Sequence, residues 1–149
     1  MRSIIFHILL LLLLSCSGSE KKAKLKQVSS LEEVPQGENF KIFLEDFSKI
    51  EEFQLSRIKF PLSDCDYPGD EDSNCIYWTK EDWKQVILID TTHTPTTIRT
   101  IYDNFSLKME NSGERVVAFE ATETNVCAYY YFKLQSEQWF LIKRVVCAD

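Results

Sequence analysis

Apolar and polar residues alternate with a period of two in the C-terminal third of the chain, from Arg115 to Cys147. Three runs of β-branched and aromatic residues are separated by short polar stretches, and each run is too short for a helix. We therefore expect an antiparallel β-meander with strands near residues 116–119, 126–132 and 139–142. The more apolar face, which we expect to meet the core, carries Ala128, Tyr130, Phe132, Leu134, Phe140, Ile142, Arg144 and Val146. The other face includes Trp139 and Leu141.

A second periodicity, close to 3.6 residues, precedes the meander and predicts helices. One apolar stripe holds Phe40, Phe43, Leu44, Phe47 and Ile50. A capping-box pattern that begins at Ser48 predicts a bend and a second helix, and the proline of Phe60-Pro61 ends the helical region. The helices should cover the apolar face of the sheet, which predicts an α+β domain with a curved antiparallel sheet.

The middle of the chain gives weaker patterns. Thr79 followed by acidic residues predicts a short helix to Gln85, and the apolar run 86–89 predicts a strand. A further strand is expected over residues 98–109, with a bend at Asp103.

Composition restricts the function classes. The 149 residues allow one domain and a targeting segment, and 44% hydrophobic residues are typical of a globular core. The net charge of -6 argues against nucleic acid as a partner, because phosphates require a basic surface.

The N-terminus has the pattern of an export signal. Arg2 precedes an apolar run that is too short to span a membrane stably, and Leu13-Leu14-Ser15-Cys16 resembles the bacterial lipobox. The resemblance implies cleavage before Cys16 and lipidation of its sulfur. We expect a signal peptide at 1–15, a lipidated flexible tether at 16–36 and one domain at 37–149. The predicted location is the bacterial cell envelope, anchored to the outer membrane by lipid and facing the periplasm or the surface.

Four further cysteines remain in an oxidising compartment, where pairing is expected. Four cysteines allow three connectivities, and spacing favours Cys65 with Cys75. A hairpin centred on Glu137 places Cys127 opposite Cys147, which predicts the second disulfide. The acidic loop between Cys65 and Cys75 lacks the glutamate of a calcium-binding EF-hand, and the cysteines lack zinc spacing, so no metal or cofactor is expected.

A family resemblance covers about Asn39 to Val146. The stretch Phe53-Gln54-Leu55-Ser56-Arg57-Ile58-Lys59-Phe60-Pro61-Leu62 and the closing Trp139-Phe140-Leu141 resemble an uncharacterised lipoprotein family of Bacteroides-type bacteria. The resemblance implies a nuclear transport factor 2-like, cystatin-like fold and an envelope location, and it implies no activity.

The sequence favours binding over catalysis, because outside the signal peptide His93 is the only histidine and no nucleophile–base motif is present. The same hairpin register places Tyr130 opposite Arg144 on the core face. Either Arg144 reaches water at the rim, or it offers its guanidinium to a small anionic ligand in an open pocket. We predict a non-catalytic, tethered domain that binds such a ligand or an envelope protein. The alternatives are a structural envelope component and a cone-pocket enzyme of isomerase, dehydratase or hydrolase type.

Overall fold

A computed structural model describes residues 37–67, 74–89 and 96–147 of the chain. The predicted signal peptide, Cys16, the tether and His93 lie outside these residues. The described part contains helices α1 (Phe40–Lys49) and α2 (Glu51–Ser56). Its strands are β1 (Ile58–Asp66), β2 (Cys75–Trp78), β3 (Thr97–Tyr102), β4 (Glu114–Ala121), β5 (Cys127–Gln135) and β6 (Gln138–Cys147).

The helix pair forms where the 3.6-residue pattern predicts it. Asn39 caps α1, because its side-chain oxygen accepts hydrogen bonds from the backbone N–H groups of Lys41 at 3.0 Å and Ile42 at 3.2 Å. Ile50 is extended and separates the two helices, which confirms the predicted bend. The predicted end at Phe60-Pro61 is wrong: α2 ends at Ser56, because Ile58 already pairs with Leu141 in the sheet.

The six strands form one open sheet in the order β2-β1-β6-β5-β4-β3, so the α+β class and the C-terminal meander are confirmed. The pairing of β1 with β6 is parallel, and the other four pairings are antiparallel, which makes the sheet mixed. This long-range pairing joins the strand that follows the helices to the last strand of the meander.

The last hairpin corrects the predicted faces of β6. Its turn has two residues, Ser136 and Glu137, both with positive φ (48° and 64°), so the predicted centre of the hairpin at Glu137 is wrong. This geometry matches the primed turns that suit the twist of a hairpin. A β-bulge at Ile142 then shifts the register by one residue, so Arg144 still lies opposite Tyr130.

As a result, Trp139 and Leu141 are buried against the helices, at 2% and 0% exposure. Phe140, which was predicted on the core face, pairs with Lys133 on the opposite face instead.

The middle of the chain differs most from its prediction. The expected helix after Thr79 is only a turn at residues 80–82, in which the Thr79 hydroxyl donates to Asp82 at 2.6 Å. Residues 86–89 form no strand, whereas β2, which the sequence analysis missed, pairs with β1 beside the Cys65–Cys75 disulfide. Strand β3 ends at Tyr102, before the expected bend.

The core lies between the helices and one face of the sheet. Phe40, Phe43 and Phe47 each place a ring edge-on to Phe132, with centroids 5.3–5.6 Å apart. Within the described ranges, no helix is long and apolar enough to cross a membrane.

Candidate functional site

A covering segment, residues 83–89, lies over the part of the sheet face that the helices leave uncovered. It has no regular secondary structure, yet Trp83 and Leu88 are buried in the core. Because an irregular segment cannot satisfy its own backbone polar groups, it needs partners elsewhere in the fold.

Two buried polar side chains of the helices supply those partners. Gln54, fully buried, accepts hydrogen bonds from the Trp83 indole N–H at 2.9 Å and the Val86 N–H at 3.0 Å. Its amide nitrogen donates to the Val86 carbonyl at 2.8 Å. The Ser48 hydroxyl accepts from the Leu88 N–H at 3.1 Å and donates to the Leu44 carbonyl at 2.8 Å. The covering segment is therefore fixed to the helix pair by directional bonds.

Beside the covering segment, three polar residues form one row across the sheet. Asp64 on β1 is the register partner of Arg144 on β6, which is the partner of Tyr130 on β5. The Arg144 guanidinium donates to both carboxylate oxygens of Asp64, from Nε at 2.8 Å and from Nη2 at 2.6 Å. The side chain of Asp64 is 4% exposed and that of Arg144 23% exposed. Such a bidentate pair offsets the cost of burying the two charges.

The structure therefore brings the two predicted pocket residues together, but it gives Arg144 a partner that the sequence analysis did not name. Asp64 shares the inward face of β1 with buried Leu62, so strand alternation alone marks it as a buried acid. Its pairing with Arg144 depends on the parallel β1–β6 contact, for which the sequence has no local signal.

Trp78 on β2 is the register partner of Leu62, and its indole N–H donates to Asp64 Oδ2 at 2.8 Å. A cavity of about 340 Å³ opens here, lined by Trp78, Trp83, Lys84, Gln85, Val86 and Arg144. Because both indole N–H groups bond to Asp64 and Gln54, the two tryptophans offer the cavity carbon surface. The cavity thus joins an aromatic wall to the cationic groups of Arg144 and Lys84.

Tyr130, the other residue of the predicted pocket, lies opposite Arg144 in the sheet but is not among the described residues that line the cavity. Burial raises the pKa of Tyr130 above its usual value of 10.0, although the neighbouring Arg144 guanidinium opposes the shift. The phenol therefore stays protonated at neutral pH. Among the described residues, those that line the cavity include no carboxylate and no histidine. In the three described ranges, no group of three His, Cys, Asp or Glu side chains is arranged to hold a metal ion.

The structure contains both disulfides that the sequence analysis predicts, Cys65–Cys75 and Cys127–Cys147. Cys65 and Cys75 are register partners on β1 and β2, and Cys127 and Cys147 are register partners on β5 and β6. Each disulfide therefore links two adjacent strands. The Cys65–Cys75 bond lies one register pair beyond Asp64, and it holds the β1–β2 hairpin that carries Asp64 and Trp78.

Comparison with known proteins agrees with this fold. A protein-family model, whose description states a likeness ("-like") and no activity, matches residues 38–147. A cystatin-like protein from Bacteroides caccae is similar in structure, with a TM-score of 0.54 and 21% identity over 75% of this chain and 78% of that protein. No curated protein matches the sequence.

A nuclear transport factor 2-like protein from Bacteroides fragilis is also similar, with a TM-score of 0.50 and 17% identity over 74% of this chain. The chain spans about half the length of that protein, since the match covers 47% of it. At these identities the two structures show the fold alone. Because the family model matches most of the chain, the chain belongs to the family that this model describes, and the two structures show that its fold is nuclear transport factor 2-like and cystatin-like.

Proposed function

We propose that this domain is a non-catalytic binding domain of the bacterial envelope, and that its ligand occupies the cavity beside Arg144. The observation that supports the proposal is the lining of that cavity. Two tryptophan side chains form an apolar wall, and two cationic groups lie at its edge. Binding sites for small molecules combine an apolar surface with a few polar groups in this way.

Charge indicates the class of ligand. Asp64 neutralises Arg144, so the cation of the lining that has no such buried counter-ion is Lys84, which is exposed at the rim. A ligand with a flat apolar part and one carboxylate or phosphate group fits this distribution. Its apolar part would contact Trp78 and Trp83, and its anionic group would approach Lys84 and the exposed edge of Arg144.

The catalytic alternative has no specific support in the geometry. An isomerase or dehydratase requires a base that faces its substrate, within hydrogen-bond reach. The Asp64 carboxylate, which is bonded to two residues of the cavity lining, accepts three hydrogen bonds from Arg144 and Trp78 and is held against them.

The chain enters the domain near Glu38, and this position bears on the predicted lipid anchor at Cys16. The Glu38 N–H donates to the Glu137 carbonyl at 2.9 Å, and the Trp139 indole donates to the Glu38 carbonyl at 2.7 Å, so the chain enters beside the β5–β6 turn. Arg144 lies six residues after Gln138, where β6 begins, which corresponds to about 20 Å along the strand. We propose that Cys16 carries the anchor.

The binding proposal is tested with 2-naphthoate as an anionic aromatic probe and 2-naphthamide as its uncharged counterpart. We expect titrations followed by tryptophan fluorescence to give a Kd for 2-naphthoate at least tenfold lower than that for 2-naphthamide. Lys84→Glu should remove that preference, whereas the control Lys80→Glu reverses a charge on an exposed residue outside the cavity lining and should keep it. Equal binding of both probes, or equal loss in both variants, contradicts the proposal.

The anchor is tested separately in cells. Metabolic labelling with an alkyne-tagged fatty acid should tag the unaltered protein, and Cys16→Ala should move the protein from the membrane to the soluble fraction. Labelling that survives the substitution contradicts lipidation of Cys16 but leaves the binding proposal intact.

A further inference from the structure

A second cavity, of about 410 Å³, lies at the end of the sheet where β4 connects to β5. Its lining residues come from the position just after β1, the end of β4, the β4–β5 connection, the start of β5 and the end of β6. Those that carry its chemistry are Tyr67, Glu120, Asn125, Tyr129 and the Cys127–Cys147 disulfide. The cavity lies on the opposite face of the sheet from the Arg144 cavity, because Cys127 and Tyr129 alternate along β5 with Tyr130 and pack in a separate apolar cluster with Val116, Ala118 and Val145.

The electrostatic character of this cavity comes from Glu120. The Tyr129 hydroxyl donates to Glu120 Oε1 at 2.5 Å. Burial, followed by this hydrogen bond, raises the pKa of Tyr129 well above its ordinary value, so the phenol remains a donor and does not add a negative charge. None of the described residues that line the cavity is basic, so the carboxylate has no counter-ion there.

Two tyrosine rings line the same cavity as the Glu120 carboxylate. Tyr67 is 60% exposed, and its ring centroid lies 6.2 Å from that of Tyr129 with an interplanar angle of 32°. The Tyr67 backbone N–H donates to the Val146 carbonyl at 2.8 Å, which fixes the residue next to β6. The two rings therefore form a partly exposed aromatic wall beside a negative charge.

We propose that this second cavity binds an organic cation of the alkylammonium class. Aromatic faces attract a cation through their quadrupoles, and a carboxylate adds a direct ion pair. The methyl groups of a quaternary ammonium also match the apolar surfaces of Ala121 and Val126, which line the same cavity. The net charge of -6 further favours the approach of a cation.

The Cys127–Cys147 disulfide contributes a wall of the cavity and links the strands that carry Tyr129 and Val146. Reduction would free the ends of β5 and β6 and change the shape of the cavity. We therefore expect reduced protein to bind the cation less tightly.

The test uses choline and its uncharged counterpart 3,3-dimethylbutan-1-ol, which has nearly the same shape. Calorimetric or NMR titration should give at least tenfold tighter binding of choline at neutral pH, and added salt should weaken it. Glu120→Gln should remove this preference, since the amide oxygen still accepts from Tyr129 but has no charge. Glu123→Gln is the matched control, because Glu123 is exposed in the same connection and does not line the cavity.

The aromatic contribution has its own pair of variants. Tyr67→Leu should weaken choline binding severalfold, whereas Tyr77→Leu removes an equally exposed tyrosine outside the cavity and should not. Lys84→Glu should leave choline binding unchanged, which separates this proposal from the one on the Arg144 cavity. Equal affinity for choline and the alcohol, no binding of either at millimolar concentration, or equal effects of Glu120→Gln and Glu123→Gln would overturn the proposal.

Discussion

The same face of the sheet is covered in two different ways. Over one part, α1 packs the rings of Phe40, Phe43 and Phe47 edge-on against Phe132, and the contact is apolar. Over the other part, the covering segment 83–89 lies beside a row that contains Asp64 and Arg144, and a cavity remains open. We call these parts the aromatic half and the polar half.

The difference follows from backbone hydrogen bonding. A helix satisfies its own interior backbone groups, so its contact face can be fully apolar and fill space. An irregular segment must bond to other groups, which places polar side chains such as Gln54 and Ser48 at its contact. We therefore expect the stability of the aromatic half to depend on the volume of its buried side chains. The stability of the polar half should depend on its hydrogen bonds and its ion pair.

The largest expected loss of folding stability comes from a substitution in the aromatic half. Phe132→Ala removes a fully buried ring that contacts three others, and it should lower the free energy of unfolding by about 4 kcal/mol. Phe132→Leu, which keeps most of the volume, should cost less than half as much. Chemical denaturation measures both, and equal losses would show that volume does not dominate this half.

A smaller loss of stability is expected when the ion pair of Asp64 and Arg144 is broken, and a second substitution should recover it. Arg144→Met leaves the buried Asp64 carboxylate without its guanidinium and should cost about 3 kcal/mol. The double variant Asp64→Leu/Arg144→Met removes both charges and should regain most of that stability. If the two single losses simply add in the double variant, the pair is not coupled in the way that the distances indicate.

Gln54→Leu is expected to act locally and to cost about 2 kcal/mol, because it leaves the Val86 backbone and the Trp83 indole without partners. Hydrogen exchange should accelerate at Val86 and Leu88 more than in β4 and β5. Gln85→Leu is the control, since its side chain makes only a 3.2 Å bond to the Ser48 carbonyl and is exposed. Uniform acceleration across the domain would contradict a local role.

The smallest expected effect is a loss of folding stability at alkaline pH. Because burial raises the pKa of Tyr130, the folded protein keeps a proton that the unfolded chain releases above pH 10.0, the usual tyrosine value. Stability should therefore fall as the pH rises above 10, and Tyr130 should contribute a limiting slope of about 1.4 kcal/mol per pH unit, beside the contribution of Tyr129. Tyr130→Phe should reduce the slope, and denaturation at several pH values checks it. An unchanged slope would contradict the shift.

The sequence predicted the meander, the helix pair and the location of its bend because each depends on short-range periodicity. The stripe from Phe40 to Ile50 and the runs after Arg115 repeat within a few residues, so local patterns suffice. The register of the last hairpin was predicted correctly at Arg144 and wrongly near the turn. A two-residue turn and a bulge at Ile142 compensate for each other, and the sequence offers no clear mark of either.

By itself, the sequence determined the fold class, the meander with its helical cover and the residues available for disulfides, because hydrophobic periodicity and cysteine spacing specify these locally. Only the tertiary structure decided that Arg144 pairs with Asp64, that β1 runs parallel to β6, and that residues 83–89 cover the sheet without forming a strand. Asp64 and Arg144 are 80 residues apart in sequence. Contacts of that range depend on how the whole sheet assembles, and no local pattern of residues encodes them.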